Sequence, residues 1–207
     1  MAQIFCFGDS ITYGAWDVDS SGWANQLRAY LDRKQLENDS LYFLTYNLGV
    51  PGENTNGLAN RFLSETKARI KEERPEDNIF IFAYGANDST IISSQNKFRI
   101  GVEDFKKNLE SVIDQAKKLG SKIIILNITP VNEELTANPI NKDKSRLNKY
   151  IEIYNEVIKE IAISNDIYLV DVNSAFMSGD YKSLFCEDGF IVVQFVNTDL
   201  TSLNSWT

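Results

Sequence analysis

The run Ile4-Phe5-Cys6-Phe7 is apolar at every position and breaks without transition into the polar turn Gly8-Asp9-Ser10. A strand that is apolar on both faces must be covered on both faces, as in a parallel sheet flanked by helices. The pattern recurs along the chain. Leu41 to Leu48 is rich in aromatic and aliphatic residues and ends in Gly49-Val50-Pro51-Gly52, while Ile79 to Tyr84 ends in Gly85-Ala86-Asn87-Asp88. Lys122 to Leu126 and Ile167 to Val172 complete a set of strands, the fourth leading through Asn127 and Thr129-Pro130 into a long loop around Asn132 to Asn141.

Between these runs the apolar period lengthens to that of a helix. Ser20-Ser21-Gly22 can start one that runs to about Lys34, with Trp23, Leu27, Tyr30 and Leu31 on its inner stripe. A second is expected near Gly57 to Lys71, with Leu58, Phe62, Leu63 and Ile70 inward. Val102, Phe105, Leu109, Val112, Ile113, Ala116 and Leu119 give the cleanest helical period, closed by Gly120. Leu147, Tyr150, Ile151, Tyr154, Val157, Ile158 and Ile161 give a fourth helix. Strands that alternate with long helices imply right-handed crossovers, a five-stranded parallel sheet and a three-layer α/β/α sandwich. Two polar segments fall outside the pattern: Glu72 to Asn78 reads as a solvated loop, and Ser89 to Ile100 as an irregular lid or substrate loop.

Composition narrows the class of function. Lysine and arginine number 21 against 29 acidic residues, a net charge of −8, with no basic cluster. Nucleic-acid binding and attraction to an anionic membrane surface both require such a cluster. No stretch approaches a membrane span of ~20 apolar residues, and the start lacks an export leader, so a cytoplasmic location is expected. Cys6 and Cys186 are too few for a disulfide framework, and Cys6 reads as a small core residue. The chain contains no histidine, which removes a usual ligand of zinc and other transition metals. No cofactor and no metal are expected, and neither a P-loop nor a dinucleotide fingerprint follows any strand.

A serine in a turn at the carboxyl end of a central strand stands where open α/β sheets bind ligands. Gly-Asp-Ser alone is a weak signal, because all three residue types populate turns for local reasons. Four separated blocks together say more. Gly8-Asp9-Ser10-Ile11-Thr12, Asn47-Leu48-Gly49-Val50-Pro51-Gly52, Gly85-Ala86-Asn87-Asp88 and Glu187-Asp188-Gly189 resemble, in order, the conserved blocks of the GDSL lipase/esterase family, the SGNH hydrolases. The resemblance implies a flavodoxin-like α/β/α fold in a domain spanning residues 1–189. It implies a serine-dependent carboxylic ester hydrolase, an esterase, lipase or acylhydrolase whose substrate is a small-molecule acyl ester, lipid or acetylated sugar. By the same resemblance, Ser10 is the nucleophile and Asp188 a member of the catalytic set. The backbone N–H groups of Ser10 and Gly52 and the side-chain amide of Asn87 form the oxyanion hole. The chemistry agrees, since neutral donors stabilise an oxyanion without trapping it as a counter-charge would.

The last block departs from the family. Where the family has Asp-x-x-His, this sequence reads Asp188-Gly189-Phe190-Ile191, so Ile191 occupies the position of the base. Removing the base of a comparable triad costs about a millionfold in turnover. Carboxylates and Lys182 are poor substitutes near their ordinary pKa values. The resemblance therefore implies an esterase impaired as written, or alternatively a non-hydrolytic protein that binds an ester, carboxylate or glycan. Residues 190–207 form an atypical tail. Its Phe190 to Val196 run is expected to seek burial, as an added edge strand or in a homo-oligomer.

Overall fold

The computed structural model describes residues 2–19, 21–70, 78–137, 143–186 and 188–190. In chain order these form β1 (Ala2–Gly8), α1 (Ser10–Tyr13), α2 (Trp23–Glu37), β2 (Phe43–Gly49), α3 (Thr55–Lys67) and β3 (Asn78–Ala83). There follow β4 (Ile91–Ile92), β5 (Lys97–Phe98), α4 (Val102–Lys118), β6 (Lys122–Leu126), α5 (Glu133–Thr136), α6 (Asn148–Asn165), β7 (Tyr168–Val170) and α7 (Val172–Met177). The main sheet has five strands in the order β2-β1-β3-β6-β7, and every pairing in it is parallel. With the small hairpin set aside, this is the 2-1-3-4-5 order of a flavodoxin-like sheet.

The pleat of β1 divides the core. Phe5 and Phe7 join Phe62, Phe80, Phe82 and the inner residues of α3, α4 and α6 in the larger cluster. Ile4 and Cys6 point the other way and pack with Ile81, Leu126 and Ala24, covered by Trp23, Leu27 and Leu31 of α2. Alternate residues of one apolar strand thus serve opposite layers, as expected of a strand covered on both sides. Cys6 is fully buried with a free thiol, and burial raises its pKa to about 12, the behaviour of an inert core residue.

Register is what places the functional loops. Gly8 stands opposite Gly49 on one side and Ala83 on the other. Hence β1, β2 and β3 end at the same level, and the turns that follow them leave from one edge.

Local expectations need correction at four places. Ser89 to Ile100 is not irregular: β4 and β5 form an antiparallel hairpin, with Asn96 in the left-handed conformation at its turn. Its strands are too short to show a period, and Ile91 is held by backbone bonds to Ser145, far along the chain. The loop at Asn132 begins with a short helix, α5, capped by Asn132 accepting from the Glu134 N–H. Leu63 is 39% exposed, because the inner line of α3 runs through Leu58, Phe62 and Thr66. Asn78 opens β3 and is buried rather than solvated; the remainder of that charged segment, 72–77, lies outside the described residues.

Candidate active site

Asp9 caps α1, its Oδ1 accepting the Ile11 N–H at 2.9 Å. This fixes the turn so that Ser10 opens the one-turn helix, with its side chain at the edge of a cleft. Asn47 at the end of β2 staples the same turn, donating from Nδ2 to the Thr12 carbonyl at 3.0 Å while its Oδ1 accepts the Gly49 N–H. Gly49 has to be glycine. A Cβ there would lie 2.3 Å from the Tyr13 nitrogen and 2.8 Å from the Asp9 carbonyl oxygen, both parts of a backbone that cannot step aside.

Gly52 is glycine for another reason. Its φ is +77°, and no atom lies within 4 Å of where a Cβ would stand. The left-handed backbone is what an L side chain would resist. The following residue, Glu53, anchors this loop. Arg61 donates from Nε to both Glu53 carboxylate oxygens at 2.9 Å and from NH2 to the Leu48 carbonyl at 2.6 Å. Tyr84 donates to Glu53 Oε2 at 2.5 Å and accepts from Arg61. Burial and the Glu53 carboxylate together push the Tyr84 hydroxyl far above the ordinary tyrosine range.

Asn87 sits between these loops. Its Nδ2 donates to the Glu53 carbonyl at 2.9 Å and to Asp9 Oδ2 at 3.1 Å, and its Oδ1 accepts from Arg99 at 3.4 Å. Next to it, buried Asp88 accepts from the Thr55 N–H at 3.0 Å and the Thr55 hydroxyl at 2.5 Å, tying the turn after β3 to the start of α3. Asp188 accepts the Phe190 N–H at 2.9 Å. Ser10, Gly52, Asn87 and Asp188 all line one cleft of about 670 Å³. Ile191, which the sequence resemblance leads one to expect at the position of the base, and Glu187 lie outside the described residues.

The electrostatics of the turn centre on Asp9. Burial raises its pKa from 3.8 to about 7, opposed by the Ile11 N–H and reinforced by the nearby Asp88 charge. A carboxylate with that pKa has the basicity of an imidazole, but both its oxygens are engaged, by Ile11 and by Asn87. Lys182 is paired with Glu134 on the surface, a contact that raises its pKa further. Among the described residues no cluster of three histidine, cysteine, aspartate or glutamate side chains is arranged to hold a metal ion.

Comparison with known proteins agrees with this fold. Residues 6–191 match the model of the GDSL-like Lipase/Acylhydrolase family. The chain belongs to the GDSL-like family. It is 26% identical over 193 residues to YqeF, an uncharacterized lipoprotein of Bacillus subtilis, covering 86% of this chain and 73% of that one. In fold it is similar to a lipase/acylhydrolase from Enterococcus faecalis, with a TM-score of 0.68, 22% identity, and coverage of 94% of this chain and 88% of that one. It is likewise similar to the acetylxylan esterase Axe2 of Geobacillus stearothermophilus, with a TM-score of 0.65, 17% identity, and coverage of 92% and 86%.

The GDSL-like blocks account for one side of the cleft only. Arg99, Lys144, Arg146 and Trp16 also line it, and no motif or periodicity in the sequence pointed to them. Arg99 follows the hairpin, within the segment expected to form a substrate loop; Arg146 reaches the cleft from the stretch before α6. Chemically, a GDSL-like cleft built this way offers a hydroxyl, nearby amide donors and a cationic wall.

Proposed function

We propose that this protein is a serine-dependent carboxylic ester hydrolase of GDSL type. Ser10 Oγ attacks the acyl carbon, the bond from that carbon to the alcohol oxygen breaks, and the serine proton leaves with the alcohol, so that an acyl-Ser10 ester forms. Water then releases the acid. The developing oxyanion is met by the N–H groups of Ser10 and Gly52. Asn87 joins them by exchanging one of its present acceptors, Asp9 or the Glu53 carbonyl, for the oxyanion. The observation that carries this reading is that Ser10, Gly52, Asn87 and Asp188, from four separated segments, line one cleft of about 670 Å³, a volume suited to a small ester.

The proton of Ser10 has to leave during attack. With no histidine in the chain and both Asp9 oxygens engaged, turnover is expected to be slow, relying on binding and oxyanion stabilisation for its residual rate. The absence of histidine favours a second reading, a non-hydrolytic protein that binds an ester, carboxylate or glycan in the same cleft. Hydrolysis of p-nitrophenyl acetate by the chain, by Ser10→Ala and by Ile191→His tests the first. A slow activity lost in Ser10→Ala and raised in Ile191→His is expected. Activity unchanged by Ser10→Ala would remove the nucleophile assignment.

A further inference from the structure

The chain as a whole carries a charge of −8, yet among the described residues the cleft at Ser10 is lined by three cations, Arg99, Lys144 and Arg146, and one carboxylate, Asp188. Among the described residues none of the three cations makes an ion pair within 4 Å. Arg146 is the most constrained of them. Its guanidinium lies 3.9 Å from the centre of the Phe190 ring, which fixes its plane. Its backbone is held on both sides by Thr136, through the Arg146 N–H to the Thr136 carbonyl at 3.0 Å and the Thr136 hydroxyl to the Arg146 carbonyl at 2.9 Å. Its Nε is buried and has no hydrogen-bond partner. A buried guanidinium nitrogen left without an acceptor is costly. Asp188 and Asp9 lie close enough to favour its charge, while burial pulls its pKa down more strongly.

Arg99 ties this wall to the reacting centre, because it donates to the oxygen of Asn87, whose nitrogen bonds the residue preceding Ser10. A charge bound by the arginines therefore lies in the same cleft as an acyl group at Ser10. We propose that the cleft selects small esters that carry a second, ionised carboxylate, which Arg146 and Arg99 bind while Lys144 adds charge at the rim. The planar fork of a guanidinium matches a carboxylate better than it matches any neutral group of the same size. The inference takes from the proposed function only that the ester end of the ligand lies at Ser10.

A matched pair of probes tests it. Monomethyl succinate bears one ester and one carboxylate, and dimethyl succinate is its neutral counterpart. By titration calorimetry the monoester should bind at least about tenfold more tightly than the diester, the usual scale of a charge-assisted bond. The preference should fall about tenfold in Arg146→Gln and Arg99→Gln, and less in Arg146→Lys, which keeps the charge but not the planar fork. Lys144→Gln, at an exposed position, should weaken it less and leave the fold intact, which far-UV circular dichroism checks for all four. Equal binding of the two probes, no binding of the monoester, or a preference that ignores all of these variants would overturn the inference. Ser10-dependent hydrolysis of p-nitrophenyl acetate without any charge preference would end it while leaving the proposed activity standing. Selective monoester binding without Ser10-dependent hydrolysis would do the reverse.

Discussion

Because burial outweighs the opposing donors, the N–H of Ile11 and the amide of Asn87, the Asp9 carboxyl keeps a proton in the folded chain that it loses when unfolded. Its folded pKa is about 7 against an ordinary 3.8. Between those values the unfolded state binds fewer protons, so this site's contribution to stability is fully present below the lower value and is lost as pH rises through the upper one. Urea unfolding at several pH values should show the native chain losing stability, relative to Asp9→Asn, by up to ~4 kcal/mol across that window. A difference that stays flat with pH would contradict it. Two glycines of the site should respond in distinct ways. Gly52→Ala meets no atom but must hold φ at +77°, a cost of roughly 1–2 kcal/mol. Gly49→Ala places a methyl 2.3 Å from the Tyr13 nitrogen, and its loss should exceed ~3 kcal/mol because only the backbone could relieve it. Thermal denaturation of the two variants side by side measures the contrast.

The loop between β2 and α3 is organised by the Glu53, Arg61 and Tyr84 cluster. The Arg61–Glu53 ion pair is 2.7 Å long, and its side chains are only 16% and 10% exposed. Arg61 also lies 5.2 Å from the centre of the Phe7 ring, so one side chain links β1, the end of β2, α3 and β3. Arg61→Met removes the counter-charge and leaves the Glu53 carboxylate buried, a change expected to cost about 3–5 kcal/mol. Since the Glu53 carbonyl is one of the two acceptors of the Asn87 nitrogen, the same variant should weaken binding in the cleft beyond what lost stability explains. Calorimetry under conditions where the variant remains folded separates the two effects. The hairpin of β4 and β5 is, with the short helices α5 and α7, an element that local sequence pattern does not show. Two-residue strands carry no usable period, and the partner of Ile91, Ser145, is distant in the chain.

Across the whole molecule, stability rests on an aromatic stack through the middle of the sheet. Phe80 lies 5.0 Å from Phe5, 5.2 Å from Phe62, 6.3 Å from Phe7 and 6.2 Å from Phe82, ring centre to ring centre. Phe80→Ala should therefore cost about 3–5 kcal/mol, read from the denaturation midpoint with the denaturant slope unchanged. Those phenylalanines were legible as core because each stands in an apolar strand or on a helical stripe. Leu63 was misassigned because it neighbours Phe62 in sequence but lies about 100° away around the helix.

What the chain's residues determined by themselves was local: where the main strands and helices form, that the central strands are apolar on both faces, and that three of the four blocks resembling a hydrolase family stand at strand ends. These follow from periodicity and turn chemistry, which act over a few residues. Only the tertiary structure decided that Gly8, Gly49 and Ala83 lie in register, that Asn87 bridges Asp9 and Glu53, and that Arg99 and Arg146 line the same cleft as Ser10. Such contacts join residues tens of positions apart, and their geometry is set by how whole elements pack, to which no local pattern is sensitive.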